Sequence, residues 1–154
     1  MIKKLTKEAD IKAGLKLVTA VFDTFQAPDY GPDGVASFKN FIDFQQLYPQ
    51  LTSGKISLYG YFVNQQIVGL LGIRNPNHIC LLFVAEAYHR KGIARKLFAN
   101  WLQEHSANLT TVTVNSSPYA LAAYQKLGFE GDTTVIETDG IKFIPLTLTL
   151  NTRN

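Results

Sequence analysis

Between Ile56 and Val84 the chain passes through three apolar stretches, ISLYGYFV, IVGLLGI and ICLLFV, interrupted by turn sequences that contain NQQ and NPN. Each stretch has the length of a strand and is rich in aliphatic and aromatic residues, so the segment predicts strand, turn, strand, turn, strand. The third stretch is apolar at every position instead of at alternate ones. A strand with one face in water would alternate, so this one should lie at the centre of a sheet that is covered on both faces. The rest of the chain must supply the cover.

It has the segments to do so. Residues 2 to 8 read as a short opening strand, and from Asp10 the apolar positions Ile11, Leu15, Val18, Phe22 and Phe25 fall at steps of four and three, the period of an amphipathic helix. Residues 27 to 34, APDYGPDG, are turn-rich and close that helix, and Val35, Phe38, Phe41 and Ile42 mark a second one expected to end before Pro49. After the third apolar run, Ile93, Leu97, Phe98, Trp101 and Leu102 make one face of a helix. TTVTV at 110 to 114 reads as a strand, and a helix should start near Pro118 and stop at Gly128. Two strands around the turn TDG complete the order, with Leu146, Leu148 and Leu150 alternating in the last.

Bulk properties narrow the class. A length of 154 residues suits one domain with its own core. No apolar run is long enough to span a bilayer, and MIKKLTKEADIKAG lacks the apolar core of a signal peptide, so a membrane role and export are not expected. The lone Cys80 excludes an intramolecular disulfide and fits the reducing cytoplasm. The net charge is +3, with basic residues scattered except around positions 89 to 96. That distribution argues against an extended nucleic-acid surface and for a small anionic ligand.

The clustered cations sit where a helix begins, in YHRKGIARKLFANW. A helix N-terminus already presents unpaired N–H groups and partial positive charge, so adding His89, Arg90 and Lys91 there costs stability unless an anion compensates. Gly92 lets backbone approach a ligand closely and Ala94 is small enough not to block it. A helix start that merely contains basic residues explains the same composition equally well.

The register His89-Arg90-Lys91-Gly92-Ile93-Ala94, following a strand that ends at Val84, resembles the acetyl-CoA motif of the GCN5-related N-acetyltransferase (GNAT) family. That motif runs Arg or Gln, two residues, Gly, one residue, then Gly or Ala. A second block, ALAAYQKLGF at 120 to 129, is similar to the family's helix ending in Tyr, x, Lys, x, Gly, Phe, and the order of elements along the chain matches as well. The resemblance implies an α/β fold: a mixed, mostly antiparallel sheet of six or seven strands flanked by about four helices. It also implies acetyl-CoA as donor, an amine as acceptor and no metal.

Carried over position by position, the resemblance assigns the main chain of Leu82, Phe83 and Val84 to the pantetheine arm, as an added strand would pair. The segment His89, Arg90, Lys91, Gly92, Ile93, Ala94 and Arg95 would hold the pyrophosphate. Tyr124 would protonate the departing thiolate, although a core aromatic on an amphipathic helix would look the same. His89 departs from the usual Arg or Gln. Asn115 and Ser117 lie near the position where the family often has an asparagine, and an N-cap role for Ser117 is an equal reading.

An acceptor amine must lose a proton, yet TTVTV carries no carboxylate, so Glu86 and His78 are the candidates for the base, each with an ordinary loop or turn role as its alternative. Asp29 and Tyr30, in the loop after the first helix, and Tyr59 and Tyr61, on the first of the three apolar runs, are the candidates for the acceptor side. Cys80 on its strand lacks an activating histidine motif and is a poor nucleophile by expectation. The competing reading is a non-catalytic acyl-CoA-binding regulatory domain; an RNA-binding module is disfavoured because no aromatic residues interleave the basic cluster. Homodimerisation is compatible with the sequence.

Overall fold

The computed structural model describes residues 1–150. After β1 (Ile2–Lys4) come α1 (Glu8–Phe25), α2 (Pro32–Phe41) and α3 (Phe44–Thr52), then β2 (Ile56–Val63), β3 (Gln66–Arg74) and β4 (His78–Val84). The chain continues through α4 (Ile93–His105), β5 (Thr111–Ser116), α5 (Leu121–Lys126), β6 (Ile136–Thr138) and β7 (Ile141–Thr149). The seven strands are ordered β1-β2-β3-β4-β5-β7-β6, so the uniformly apolar third run is the middle strand, as its pattern requires.

Three helices, not two, precede most of the sheet. The apolar spacing of residues 35 to 48 hides a break at Ile42 and Asp43, where the Asp43 carboxylate accepts the Gln45 N–H at 3.1 Å and starts α3. Pro49 does not stop a helix but lies within α3, where it forgoes one backbone bond near the end of a short helix. With this extra helix the sheet is flanked by five helices instead of about four.

The two faces of the sheet carry separate cores. On one, Ile11, Leu15, Val18 and Phe22 of α1 pack with Leu47 of α3 and with Leu70, Leu81 and Phe83 of the sheet. On the other, Leu97, Phe98 and Trp101 of α4 pack with Leu71, Ile73, Val114, Tyr124 and Phe129. Helix α1 lies so close to β3 that a Cβ on Gly14 would stand 2.5 Å from Leu70 Cδ1. The β2–β3 hairpin turns through Asn64 and Gln65, both at positive φ (49° and 67°), a pairing that suits the twist of a two-residue hairpin.

The strand pairing around β4 creates the site. β4 is antiparallel to β3 along its length but parallel to β5 only at His78↔Thr113 and Ile79↔Val114. Beyond that point β5 keeps its ladder with β7 and diverges from β4. The sheet is therefore split at its centre, and the edge of β4 from Cys80 to Val84 faces the split.

Candidate functional site

Antiparallel strands present the N–H and C=O of a given residue to the same side, and the side alternates along the strand. Ala85 N donates to Val68 O at 2.8 Å, so Ala85 and Phe83 turn their peptide groups to β3, while Leu82 and Val84 turn theirs into the split. Leu82 and Val84 thus fit a main-chain partner. Phe83 does not, contrary to the expectation from sequence, although it is among the residues lining the cleft described below.

The chain after β4 makes a 3₁₀ turn over Glu86–Tyr88 and reaches α4 through His89–Gly92. His89 Nε2 lies 2.7 Å from the Val84 carbonyl, and since a carbonyl can only accept, that nitrogen carries the proton. The imidazole is therefore fastened back onto β4. Arg90 and Gly92 both sit at positive φ, 64° and 78°, which folds the segment into a concave run of amides opening onto the first turn of α4. That helix has no side-chain N-cap and no acidic residue in its first turn, so the amides of its first residues have no side-chain partner. A Cβ on Gly92 would meet nothing within 4 Å, so the glycine serves its backbone conformation and leaves space above the amides clear.

This nest opens into a cleft of about 720 Å³. Leu82, Val84, Arg90 and Gly92 through Arg95 contribute one side of it, while Lys91 is exposed and outside the cleft lining. Tyr124, Ala120 and Lys126 face it from α5 and the turn before it. Tyr124 is buried, packs edge-on against Phe129 at 5.6 Å, and its hydroxyl has no hydrogen-bond partner among the described residues. Burial pushes that phenol above its ordinary range, with the nearby Cys80 thiol adding in the same direction, so the group stays protonated. Cys80 is the extra residue where the β3–β4 register shifts, and burial raises its thiol to about 11. Glu86 is exposed, lines the cleft and takes part in none of the three ion pairs among the described residues.

Other candidates from the sequence lie elsewhere. His78 is at the opposite end of β4, six residues or roughly 20 Å from Val84 at about 3.3 Å per residue. Its ring contacts Thr113 Oγ1 at 2.8 Å, and burial lowers its pKa, so it reads as a tie between strands. Ser117 accepts the Ala120 N–H at 3.2 Å and so ties the turn ahead of α5, whose own N-cap position is Ala120 and has no side-chain cap. Asn115 is exposed on β5 outside the cleft lining. Tyr59 is buried on the α4 face of the sheet, and Tyr61 packs against the same core. Asp29 is exposed in a 3₁₀ turn, and Tyr30 packs edge-on against Phe22 at 5.1 Å.

Helical spacing marked Phe25 only as core, yet it lines the cleft. Its ring lies 5.1 Å from His89 and 5.3 Å from Tyr119, joining the end of α1 to the loops after β4 and β5. The sequence holds no local signal for this, because the three residues come from distant segments.

A split sheet, an amide nest at a helix start and an aromatic hydroxyl on the facing helix define a cleft for an extended ligand with an anionic end. The chain matches the profile of the Acetyltransferase (GNAT) domain over residues 26–150 and belongs to that family, whose members take an acetyl group from acetyl-CoA. Among solved structures it is similar to a GCN5-related N-acetyltransferase from Rhodopseudomonas palustris, at 17% identity and a TM-score of 0.82, with 97% of this chain and 95% of that one covered. It is also similar to the PaiA N-acetyltransferase of Thermoplasma acidophilum in complex with coenzyme A, at 17% identity and a TM-score of 0.78, covering 97% and 98%. An aminoglycoside 6′-N-acetyltransferase complexed with coenzyme A shares 10% identity at a TM-score of 0.66, covering 100% and 99%. At such identities the likeness establishes the fold. No curated protein sequence matches the chain.

Proposed function

We propose that this acetyltransferase moves the acetyl group directly to a primary amine, with Tyr124 as proton donor and Glu86 receiving the amine's proton, itself or through water. The observation that carries the reading is convergence: the peptide of Leu82 and the N–H of Val84, whose carbonyl His89 occupies, the nest at Arg90–Arg95 and the unpartnered Tyr124 hydroxyl all open into one cleft. Acetyl-CoA, when bound there, supplies a thioester carbonyl for the amine to attack.

The chain's own residues account for the rest. Amides of the α4 start would hold the pyrophosphate, with Arg90, Lys91 and Arg95 adding charge, while the Leu82 and Val84 peptides would align the pantetheine arm. His89, fastened to the Val84 carbonyl, would shape the nest without reaching a phosphate. Tyr124 holds its proton across the working pH range because burial disfavours its anion, which suits a donor to a thiolate. A thiol raised to about 11 gives Cys80 little thiolate at neutral pH, which favours direct transfer over an acetyl-cysteine route. Residues 1–154 would act as one catalytic domain, with residues 151–154 outside the described part.

The test is calorimetric titration with acetyl-CoA, CoA and pantetheine, followed by thiol release with a panel of amines. Binding that depends on the pyrophosphate, together with amine-dependent thiol release, is the expected result. Tight binding with no turnover of any amine would instead favour a regulatory acyl-CoA-binding domain.

A further inference from the structure

Resting on the acetyl-transfer reading above, we infer that the acceptor is a monoamine carrying an aromatic ring, held by Phe25 and Tyr119 with its amino group toward Glu86. One wall of the cleft is aromatic: Phe25 and Tyr119 lie with ring centroids 5.3 Å apart and planes 28° from parallel, and Phe83 lines the same space. Tyr119 is 50% exposed, a large ring surface left open beside a cleft when most aromatic residues of the chain are packed. Such faces stack on a flat ring and attract a nearby ammonium through their electron-rich centres.

Charge decides between amine classes. Among the described residues Glu86 is the only carboxylate lining the cleft, and of the cations there, Arg90, Arg95 and Lys126, the first two serve the cofactor's phosphates in the reading above. The acids of the neighbouring segment do not alter this balance. Asp23 is held by Lys39 at 2.7 Å, and Asp29 and Asp33 are exposed outside the cleft lining. An acceptor with several ammonium groups would leave all but one without a carboxylate partner among the residues lining the cleft, which a selective site for it would avoid. One ammonium with an apolar, flat body matches both the single acid and the aromatic wall.

The experiment compares 2-phenylethylamine, tryptamine, n-butylamine, spermidine and kanamycin by thiol release, and titrates 2-phenylethylamine and spermidine into CoA-loaded protein by calorimetry. The aromatic monoamines should show the highest kcat/KM and the tighter binding. Phe25→Leu and Tyr119→Leu should each lower kcat/KM for 2-phenylethylamine about three- to tenfold, chiefly through KM, the worth of one aromatic pair. For n-butylamine the same variants should lose distinctly less kcat/KM than for 2-phenylethylamine, and Phe25→Tyr should restore the aromatic preference. Preference for spermidine or kanamycin would overturn this inference alone. So would equal losses for 2-phenylethylamine and n-butylamine. CoA binding with neither amine binding nor turnover would remove the acetyl-transfer reading and this inference with it.

Discussion

Replacing Gly92 by alanine separates backbone strain from loss of the ligand. Residue 92 sits at φ 78°, and an added Cβ would meet no protein atom within 4 Å, so the folding cost is that of holding an L-residue in the left-handed region. That cost is about 1–2 kcal/mol, a fall in Tm of roughly 2–8 °C for a chain of this size. The methyl would, however, stand in the open space beside the nest. If it displaces a phosphate from one charge-assisted amide bond, about 1.5–3 kcal/mol is lost, so CoA should bind about 10- to 150-fold more weakly. Pantetheine, which lacks the pyrophosphate, should lose little. Gly92→Asn should recover part of the stability, since asparagine tolerates this backbone region, without recovering affinity. Urea unfolding and calorimetry on the same preparations give both numbers. Unchanged CoA affinity alongside the expected loss of stability would refute the nest as the anion site, and a stability loss above about 4 kcal/mol would mean that the space over Gly92 is not open.

Tyr124→Phe should lower kcat about 100-fold or more while acetyl-CoA affinity holds, as steady-state kinetics and calorimetry would report. The same variant tests the pH dependence of folding. The folded state keeps Tyr124 neutral above the ordinary phenol value of 10.0, so its contribution to stability is full below that pH and is lost as pH rises beyond it. Urea midpoints between pH 9 and 11 should therefore decline less steeply for the phenylalanine variant, about which an equal slope would say that the hydroxyl is not buried in solution. Cys80→Ala should keep most of the turnover, and iodoacetamide should label native Cys80 far more slowly than a free thiol at pH 8, because burial raises the group to about 11. Glu86→Gln should lower kcat about 100-fold, whereas His78→Ala should leave turnover near wild type; the opposite ranking would return the base role to His78.

Much of this architecture is written locally. The unbroken apolarity of residues 79 to 84 placed β4 at the sheet centre, because only a doubly covered strand can dispense with polar positions. Gly92 and the unpaired helix start marked the nest, since one residue's φ and one helix end are properties of a short segment. Where local pattern misled, a competing local signal was present: Asp43 capped a helix inside a run that helical spacing had joined, and Pro49 was tolerated near the end of the resulting short helix.

What the tertiary structure alone decided is non-local. Strand spacing cannot reveal that β5 leaves β4 after two paired residues, which exposes Leu82 and Val84 while turning the Phe83 peptide inward. Nor can it bring Phe25 from α1 onto His89 and Tyr119. The physical reason is one of range. Periodicity and turn chemistry fix which face of an element is apolar and where it stops, but the walls of a cleft are set by how distant elements pack, and that packing is decided only when the whole core closes.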